Sequence, residues 1–119
     1  MLNAGVIGMG IGEKHALAYQ NHFNTNLKTV CDFDNDKLKE LKIKFPNVCM
    51  ETKDQSILEN NEIDIVSIAS YDNLHYSQIL KALKSGKHVM SEKPLCLNRD
   101  EMLQIHKTQK QNPDIKLSS

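Results

Sequence analysis

Three glycines at alternate positions, Gly8, Gly10 and Gly12, follow the short apolar run Val6-Ile7 and lead at once into the helix-compatible segment Glu13 to Tyr19. That order specifies strand, tight turn and helix. Glycine takes positive φ at little cost and has no Cβ, so the backbone of such a turn can approach a ligand closely. The first N–H groups of the helix lack intrahelical partners and attract an anion. A pyrophosphate suits this arrangement, with Gly8, Met9, Gly10, Ile11 and Gly12 forming the cradle. The dinucleotide fingerprint G-x-G-x-x-G places its third glycine at position 13, where this chain has Glu13. The turn is therefore one residue tighter, and taken alone the pattern also fits a turn that merely packs a helix on a strand.

The remaining sequence repeats the alternation. The first strand is expected over Asn3 to Ile7, and a helix from Gly12 to Phe23 with Ala16, Tyr19 and Phe23 on one face. Leu27 to Cys31 reads as a second strand. Asp34 or Asn35 caps a helix carrying Leu38, Leu41 and Phe45, which Pro46 stops. Val48 to Met50 is a weaker strand, followed by a short helix near Asp54 to Glu59 and by the β-branched run Ile63 to Ala69. Such a run suits a strand covered by helices on both faces. A helix over Asn73 to Ser85 should bury Tyr76, Ile79, Leu80 and Leu83 and close at Gly86. His88 to Met90 is a fifth strand. Asn98 with Glu101 opens a last helix presenting Met102 and Ile105, and Ile115 to Leu117 is a sixth strand. Six strands alternating with helices predict an α/β fold, a Rossmann-type doubly wound parallel sheet in the order 3-2-1-4-5-6 over residues 1–119. Ligands in such sheets lie beyond the carboxyl ends of the strands, which directs attention to Gly8–Gly12, Asp32–Asp34, Ala69–His75 and Ser91–Pro94.

Composition narrows the function. With 119 residues there is room for one core, and 15 basic against 15 acidic residues leave no electrostatic footprint for nucleic acid or an anionic membrane. No apolar run is long enough to span a bilayer and no signal peptide opens the chain, so a soluble, cytoplasmic protein is expected. Arg99 is the single arginine, so phosphate should be held by backbone amides or lysine. Cys31, Cys49 and Cys96 are widely spaced and odd in number, which fits reduced thiols with packing roles. No His, Cys or carboxylate pair has metal-ligand spacing, and no metal is expected.

Asp32 follows Gly8 by 24 positions, near the spacing at which a dinucleotide domain places the acid that binds the adenosine ribose. A carboxylate there accepts from the 2′-OH and 3′-OH and repels a 2′-phosphate, which favours NAD over NADP. Phe33 follows it in the same loop. A methyltransferase-like domain would also place an acid here, for the ribose of S-adenosylmethionine, and also carries G-x-G-x-G. It usually has an acidic residue two positions before the first glycine, where this chain has Val6.

The run Gly86-Lys87-His88-Val89-Met90-Ser91-Glu92-Lys93-Pro94 separates these readings. Together with Ile65 to Ala69, the loop Ser70 to His75 and the helix after it, this run resembles the N-terminal domain of the glucose-fructose oxidoreductase, inositol dehydrogenase and MocA family (Gfo/Idh/MocA). The family's hallmark G-K-H-V-x-x-E-K-P is matched without a gap, and the resemblance extends from Asn3 to Ser118. Ser70-Tyr71 stands where many members carry Thr-Pro. The resemblance implies a nicotinamide dinucleotide bound along Ala69, Ser70, Tyr71, His75, Glu92 and Lys93. Lys93 would be the catalytic residue, its ammonium stabilising a developing alkoxide and relaying a proton. Glu92 would partner the lysine or a ribose hydroxyl, and His75, at the family's Leu-His position, would line the nicotinamide end. His15 should pack under the glycine loop, while His22, His88 and His106 are structural or solvated.

Family members carry a second domain after the sixth strand that forms the substrate pocket, and this sequence stops at Ser119. The resemblance therefore implies the cofactor half of an oxidoreductase that acts on a secondary alcohol of a sugar, polyol or cyclitol. Such an enzyme would be a homo-oligomer when full length, and this chain alone would be inactive. A non-catalytic NAD-binding module differs only in what further sequence would contain.

Overall fold

The structure, a computed structural model, describes residues 1–118. In chain order the elements are β1 (Leu2–Ile7), α1 (Gly12–Asn21), β2 (Thr25–Cys31), α2 (Asn35–Lys44), β3 (Cys49–Glu51), α3 (Gln55–Leu58), β4 (Ile65–Ile68), α4 (Asp72–Lys84), β5 (His88–Ser91), α5 (Arg99–Gln111) and β6 (Leu117–Ser118). The strands form one parallel sheet in the order β3-β2-β1-β4-β5-β6, as the alternation predicts. The order reverses between β1 and β4, whose carboxyl ends, Ile7 and Ile68, are in register.

Neighbouring residues on each strand feed opposite layers, because side chains alternate across a pleated sheet. Val6 and Val30 join Ala16, Leu38, Leu41 and Phe45 in a core under α1 and α2. Ile7 and Cys31 join Ile57, Ile79, Leu83, Val89 and Ile105 in a core under α3, α4 and α5. Burial on both faces explains why Val66, Ser67 and Ile68 of β4 are all buried, with no alternation of buried and exposed positions.

Local signals fix the element ends. The Asp34 carboxylate accepts the N–H groups of Asp36 and Lys37 at 3.0 and 3.3 Å, so Asp34 rather than Asn35 caps α2. Asn98 Oδ1 accepts the Glu101 N–H at 2.9 Å, while the Glu101 carboxylate reaches the N–H of Leu97, one residue outside the expected box. Gly86 takes φ +78° just beyond α4. The fourth strand is shorter than Ile63 to Ala69 because the Ile63 N–H closes a turn on the Asn60 carbonyl.

Four core assignments are corrected. Phe23 lies past the end of α1, 80% exposed, stacked on His22 instead of buried beside Ala16. Met102 faces outward, and Ile105 and Thr108 are the buried residues of α5. On α4, Ile79 and Leu83 are fully buried, but Tyr76 and Leu80 only partly so, and His75, Gln78 and Ala82 take up the interior face.

Candidate functional site

The three glycines at the end of β1 have three different physical roles. Gly8 has φ +89°, and a Cβ there would lie 2.5 Å from the Ala69 carbonyl oxygen, so both conformation and space demand glycine. At Gly12 a Cβ would stand 2.9 Å from Val6 Cγ1 and 3.3 Å from Ala69 Cβ, which makes this glycine a packing requirement of α1 on the sheet. Gly10 is neither: nothing lies within 4 Å of a Cβ there. Its open side faces a cleft of about 310 Å³ at the carboxyl ends of β1, β2 and β4. Among the described residues the N–H groups of Gly10 and Ile11 have no hydrogen-bond partner. The turn thus presents free donors and an unobstructed approach at a helix start, which fits a pyrophosphate.

Met9 contributes differently from the expectation. Its side chain is fully buried beneath α1 and α2, and its N–H is already committed to Asp32 Oδ2 at 2.8 Å. The other carboxylate oxygen of Asp32 accepts the Asp34 N–H at 2.9 Å. Asp32 is thereby held rigidly at the cleft wall, and each oxygen keeps acceptor capacity for a ligand hydroxyl. Ile7, Gly8, Gly10, Phe33, Ala69, Ser70 and Tyr71 line the same cleft, and Phe33 and Tyr71 stand 51% and 73% exposed over it. Ile11 and Gly12 are outside it.

Cys31, Asp34 and Lys37 also line the cleft, and sequence reasoning assigned none of them a site role. Lys37 sits in the first turn of α2, whose start follows directly from the Asp34 cap; that cap is the signal that could have placed it there. Burial, and to a lesser degree the charges of Asp54, Asp32 and Glu51, push the Cys31 thiol up to about 12. It is consequently a neutral wall of the cleft rather than a nucleophile.

The loop after β4 is pinned from behind. Ser70 Oγ donates to Gln78, whose Nε2 donates to Asp54 at 2.9 Å, so the hydroxyl of Ser70 is engaged away from the cleft. His75, expected at the nicotinamide end, is 1% exposed and is not among the residues lining the cleft. Its Nδ1 lies 2.6 Å from the Pro94 carbonyl oxygen and its Nε2 2.8 Å from that of Ser70. The imidazole ties the loop leaving β4 to the loop leaving β5, and any influence on a ligand passes through those two backbones.

The loop after β5 holds Glu92 and Lys93 at the carboxyl edge of the sheet, with a cis peptide between Lys93 and Pro94. The Glu92 N–H donates to the Ile68 carbonyl at 2.9 Å, extending the β4–β5 ladder by one step. Its side chain is not paired with Lys93. Oε1 meets His15 Nε2 at 2.6 Å, which also corrects the expectation that His15 only packs under the turn. Lys93 is exposed and forms no ion pair among the described residues. Those residues also contain no group of three or more His, Cys, Asp or Glu able to hold a metal, and no helix long and apolar enough to cross a membrane.

Comparison with known proteins agrees with this geometry. The chain is 33% identical over 98 residues to myo-inositol 2-dehydrogenase of Thermotoga maritima, covering 82% of this chain and 29% of that protein. The crystal structure of myo-inositol 2-dehydrogenase from Lactobacillus plantarum superimposes with a TM-score of 0.90 at 28% identity, over 99% of this chain and 35% of that one. Scyllo-inositol dehydrogenase from Lactobacillus casei, solved with bound NAD(H) and scyllo-inositol, does so with a TM-score of 0.89 at 25% identity, over 99% and 35%. The chain spans about 29% of the length of the curated relatives it matches. The model of the oxidoreductase family with an NAD-binding Rossmann fold matches residues 2–118, which replaces the S-adenosylmethionine alternative. A free glycine turn at the switch point, a fixed acid after β2 and this match over nearly every residue together make the chain an NAD-binding Rossmann domain of the Gfo/Idh/MocA oxidoreductase family.

Proposed function

We propose that this domain serves an oxidoreductase that transfers a hydride between nicotinamide and a secondary alcohol carbon of a sugar, polyol or cyclitol. The adenosine ribose binds Asp32, the pyrophosphate binds the N–H groups of Gly10 and Ile11, and the nicotinamide half extends across Ala69 and Ser70 toward Glu92 and Lys93. NAD is preferred to NADP, since the Asp32 carboxylate repels a 2′-phosphate. The dinucleotide supplies the hydride acceptor or donor. Lys93 supplies a cation beside the reacting hydroxyl, which stabilises developing negative charge on that oxygen and takes part in moving its proton. The inositol dehydrogenases among the relatives favour a cyclitol or related polyol.

The observation that carries this reading is the exposed ammonium of Lys93, without an ion pair among the described residues, at the carboxyl edge of β5, one strand from the switch point. The test joins residues 1–118 to the remainder of the Lactobacillus plantarum relative and follows NADH formation with myo-inositol. Lys93→Ala should lower turnover by about 10²-fold with little change in NAD affinity, the usual scale for a lost acid-base or electrostatic group. Lys93→Arg should rescue little, because guanidinium does not release a proton near neutral pH. Near-normal turnover of Lys93→Ala would assign the proton chemistry elsewhere. A joined protein that binds NAD but oxidises no polyol would favour a non-catalytic module.

A further inference from the structure

His15 lies in the first turn of α1, three residues after the last glycine of the turn, yet its imidazole reaches the loop after β5. Nε2 is 2.6 Å from Glu92 Oε1, Nδ1 is 2.9 Å from Ser67 Oγ, and Ser67 Oγ is 2.7 Å from the Tyr19 hydroxyl. A carboxylate only accepts, so the donor to Glu92 is the Nε2–H. In the neutral ring Nδ1 then accepts from the Ser67 hydroxyl, whose oxygen accepts from Tyr19 O–H. Burial raises the Tyr19 pKa against the opposing effect of its bond to Ser67, so the phenol keeps the proton this order requires. Ser67 is fully buried in β4, and among the described residues no buried polar side-chain atom is left without a partner.

We propose that His15 is a positioning residue for the nicotinamide half of the cofactor site. It clamps one oxygen of Glu92 and leaves the other for the ligand, so that the turn receiving the pyrophosphate and the loop bearing Lys93 form one preorganised unit. Glu92 is held at both ends, by its N–H on the Ile68 carbonyl and by its carboxylate on His15. The side chain of His15 is 17% exposed and that of Glu92 38%, which leaves the carboxylate accessible while the histidine stays behind it. Preorganisation of this kind raises affinity by removing the cost of ordering the loop on binding. The inference rests on the assignment of the Glu92–Pro94 loop to the nicotinamide side.

The test is calorimetric titration of the 119-residue chain with NAD and with ADP, which lacks the nicotinamide ribose and its base. His15→Asn keeps a group near Nδ1 but cannot reach Glu92, whereas His15→Gln places an N–H close to Nε2. His15→Asn should weaken NAD about 10-fold, on the scale of one charge-assisted hydrogen bond, and leave ADP within about 2-fold. His15→Gln should return NAD affinity to within about 3-fold of the parent. In the double variant His15→Asn with Glu92→Gln, the loss should not exceed that of the worse single change, because His15 acts only through Glu92. Equal losses for NAD and ADP, or equal behaviour of the Asn and Gln variants, would overturn the inference. Should His15→Asn fail to fold, Ser67→Ala frees the ring without removing it; NAD must then weaken while ADP does not, and parallel changes would overturn it as well. If Glu92→Gln alone leaves NAD affinity unchanged, the assignment of the loop is wrong. If Glu92→Gln weakens NAD and His15→Asn does not, only the role of His15 is wrong.

Discussion

The Asp32 carboxylate accepts the Met9 N–H at 2.8 Å, so the acid at the end of β2 is a structural member of the glycine turn as well as a wall of the cleft. With the Asp34 N–H on its other oxygen, it satisfies two backbone donors. Asp32→Ala therefore has two effects that a freely placed ribose acid would not combine. Stability should fall by about 2 kcal/mol, since hydrogen bonds to a charged group are worth about 1.5 to 3 kcal/mol each and water replaces part of them at this partly exposed site. NAD affinity should fall at least about 10-fold. NADP should lose less, because the repulsion of its 2′-phosphate disappears while Lys37 remains in the cleft. Thermal melts with titrations of both cofactors measure this. Unchanged preference accompanied by lower stability would make Asp32 purely structural.

The glycines separate fold from function more cleanly. Gly10→Ala has free space and an ordinary backbone conformation, so the melting temperature should hold or rise slightly as unfolded-state entropy falls. The added methyl stands where a ligand would approach, and NAD binding should weaken. Gly8→Ala meets both a positive φ and the Ala69 backbone, and should destabilise by more than about 1 kcal/mol before binding is considered. Circular dichroism melts of the two variants beside their NAD affinities decide it: a strong loss of stability in Gly10→Ala would contradict the separation.

The thiols should differ sharply. Cys49 is exposed and Cys31 is buried in the wall of the cleft, its thiol pushed up to about 12 by burial. At pH 8 a disulfide reagent should modify Cys49 rapidly and Cys31 only on unfolding. Because the folded pKa lies above the unfolded value of 9.0, the unfolded chain releases this proton first. The contribution of Cys31 is fully present below pH 9 and declines as pH rises from 9 toward 12. Relative to Cys31→Ala, the parent should lose stability over that window. Fast labelling of folded Cys31 would contradict its burial.

The sheet order and the Asp34 cap are legible in the sequence because each rests on local chemistry: glycine conformations, the 3.6 and 2 periodicities, and a side chain within reach of its own helix start. The bond from His15 to Glu92 spans 77 positions and that from His75 to Pro94 spans 19. Neither is encoded in spacing, since a lone histidine looks alike whether it packs, titrates or ties two loops together. Phe23 and Met102 depart from expectation for a related reason. Helical periodicity states which positions share a face, but not where the helix ends, at Asn21, or how narrow the buried stripe of α5 is. The place of Lys37 in the cleft follows from the Asp34 cap, which starts α2 beyond the carboxyl end of β2 and leaves Lys37 in its first turn.

Lys87 shows how a motif residue can serve the fold alone. It belongs to the G-K-H-V run, yet it is 2% exposed, and its Nζ donates to the carbonyls of Asn60 at 2.6 Å and Ile63 at 2.9 Å. These bonds fasten the turn before β4 to the start of β5. Lys87→Ala removes both donors and leaves a cavity, which should cost about 2 to 4 kcal/mol. Lys87→Met fills most of the space but leaves the carbonyls unpaired, and should fall between alanine and the parent. Burial lowers the Lys87 pKa, opposed by the charge of Asp64, so the native state binds fewer protons than the unfolded chain just below pH 10.5. The penalty for burying the ammonium is full below the lowered pKa and relaxes as pH rises from there toward 10.5. Urea melts between pH 7 and 10 should therefore show the parent gaining stability relative to Lys87→Met as pH increases. A constant difference between the two proteins would mean that the lysine stays fully charged across this range, and a Lys87→Ala protein as stable as the parent would remove the strut assigned to it.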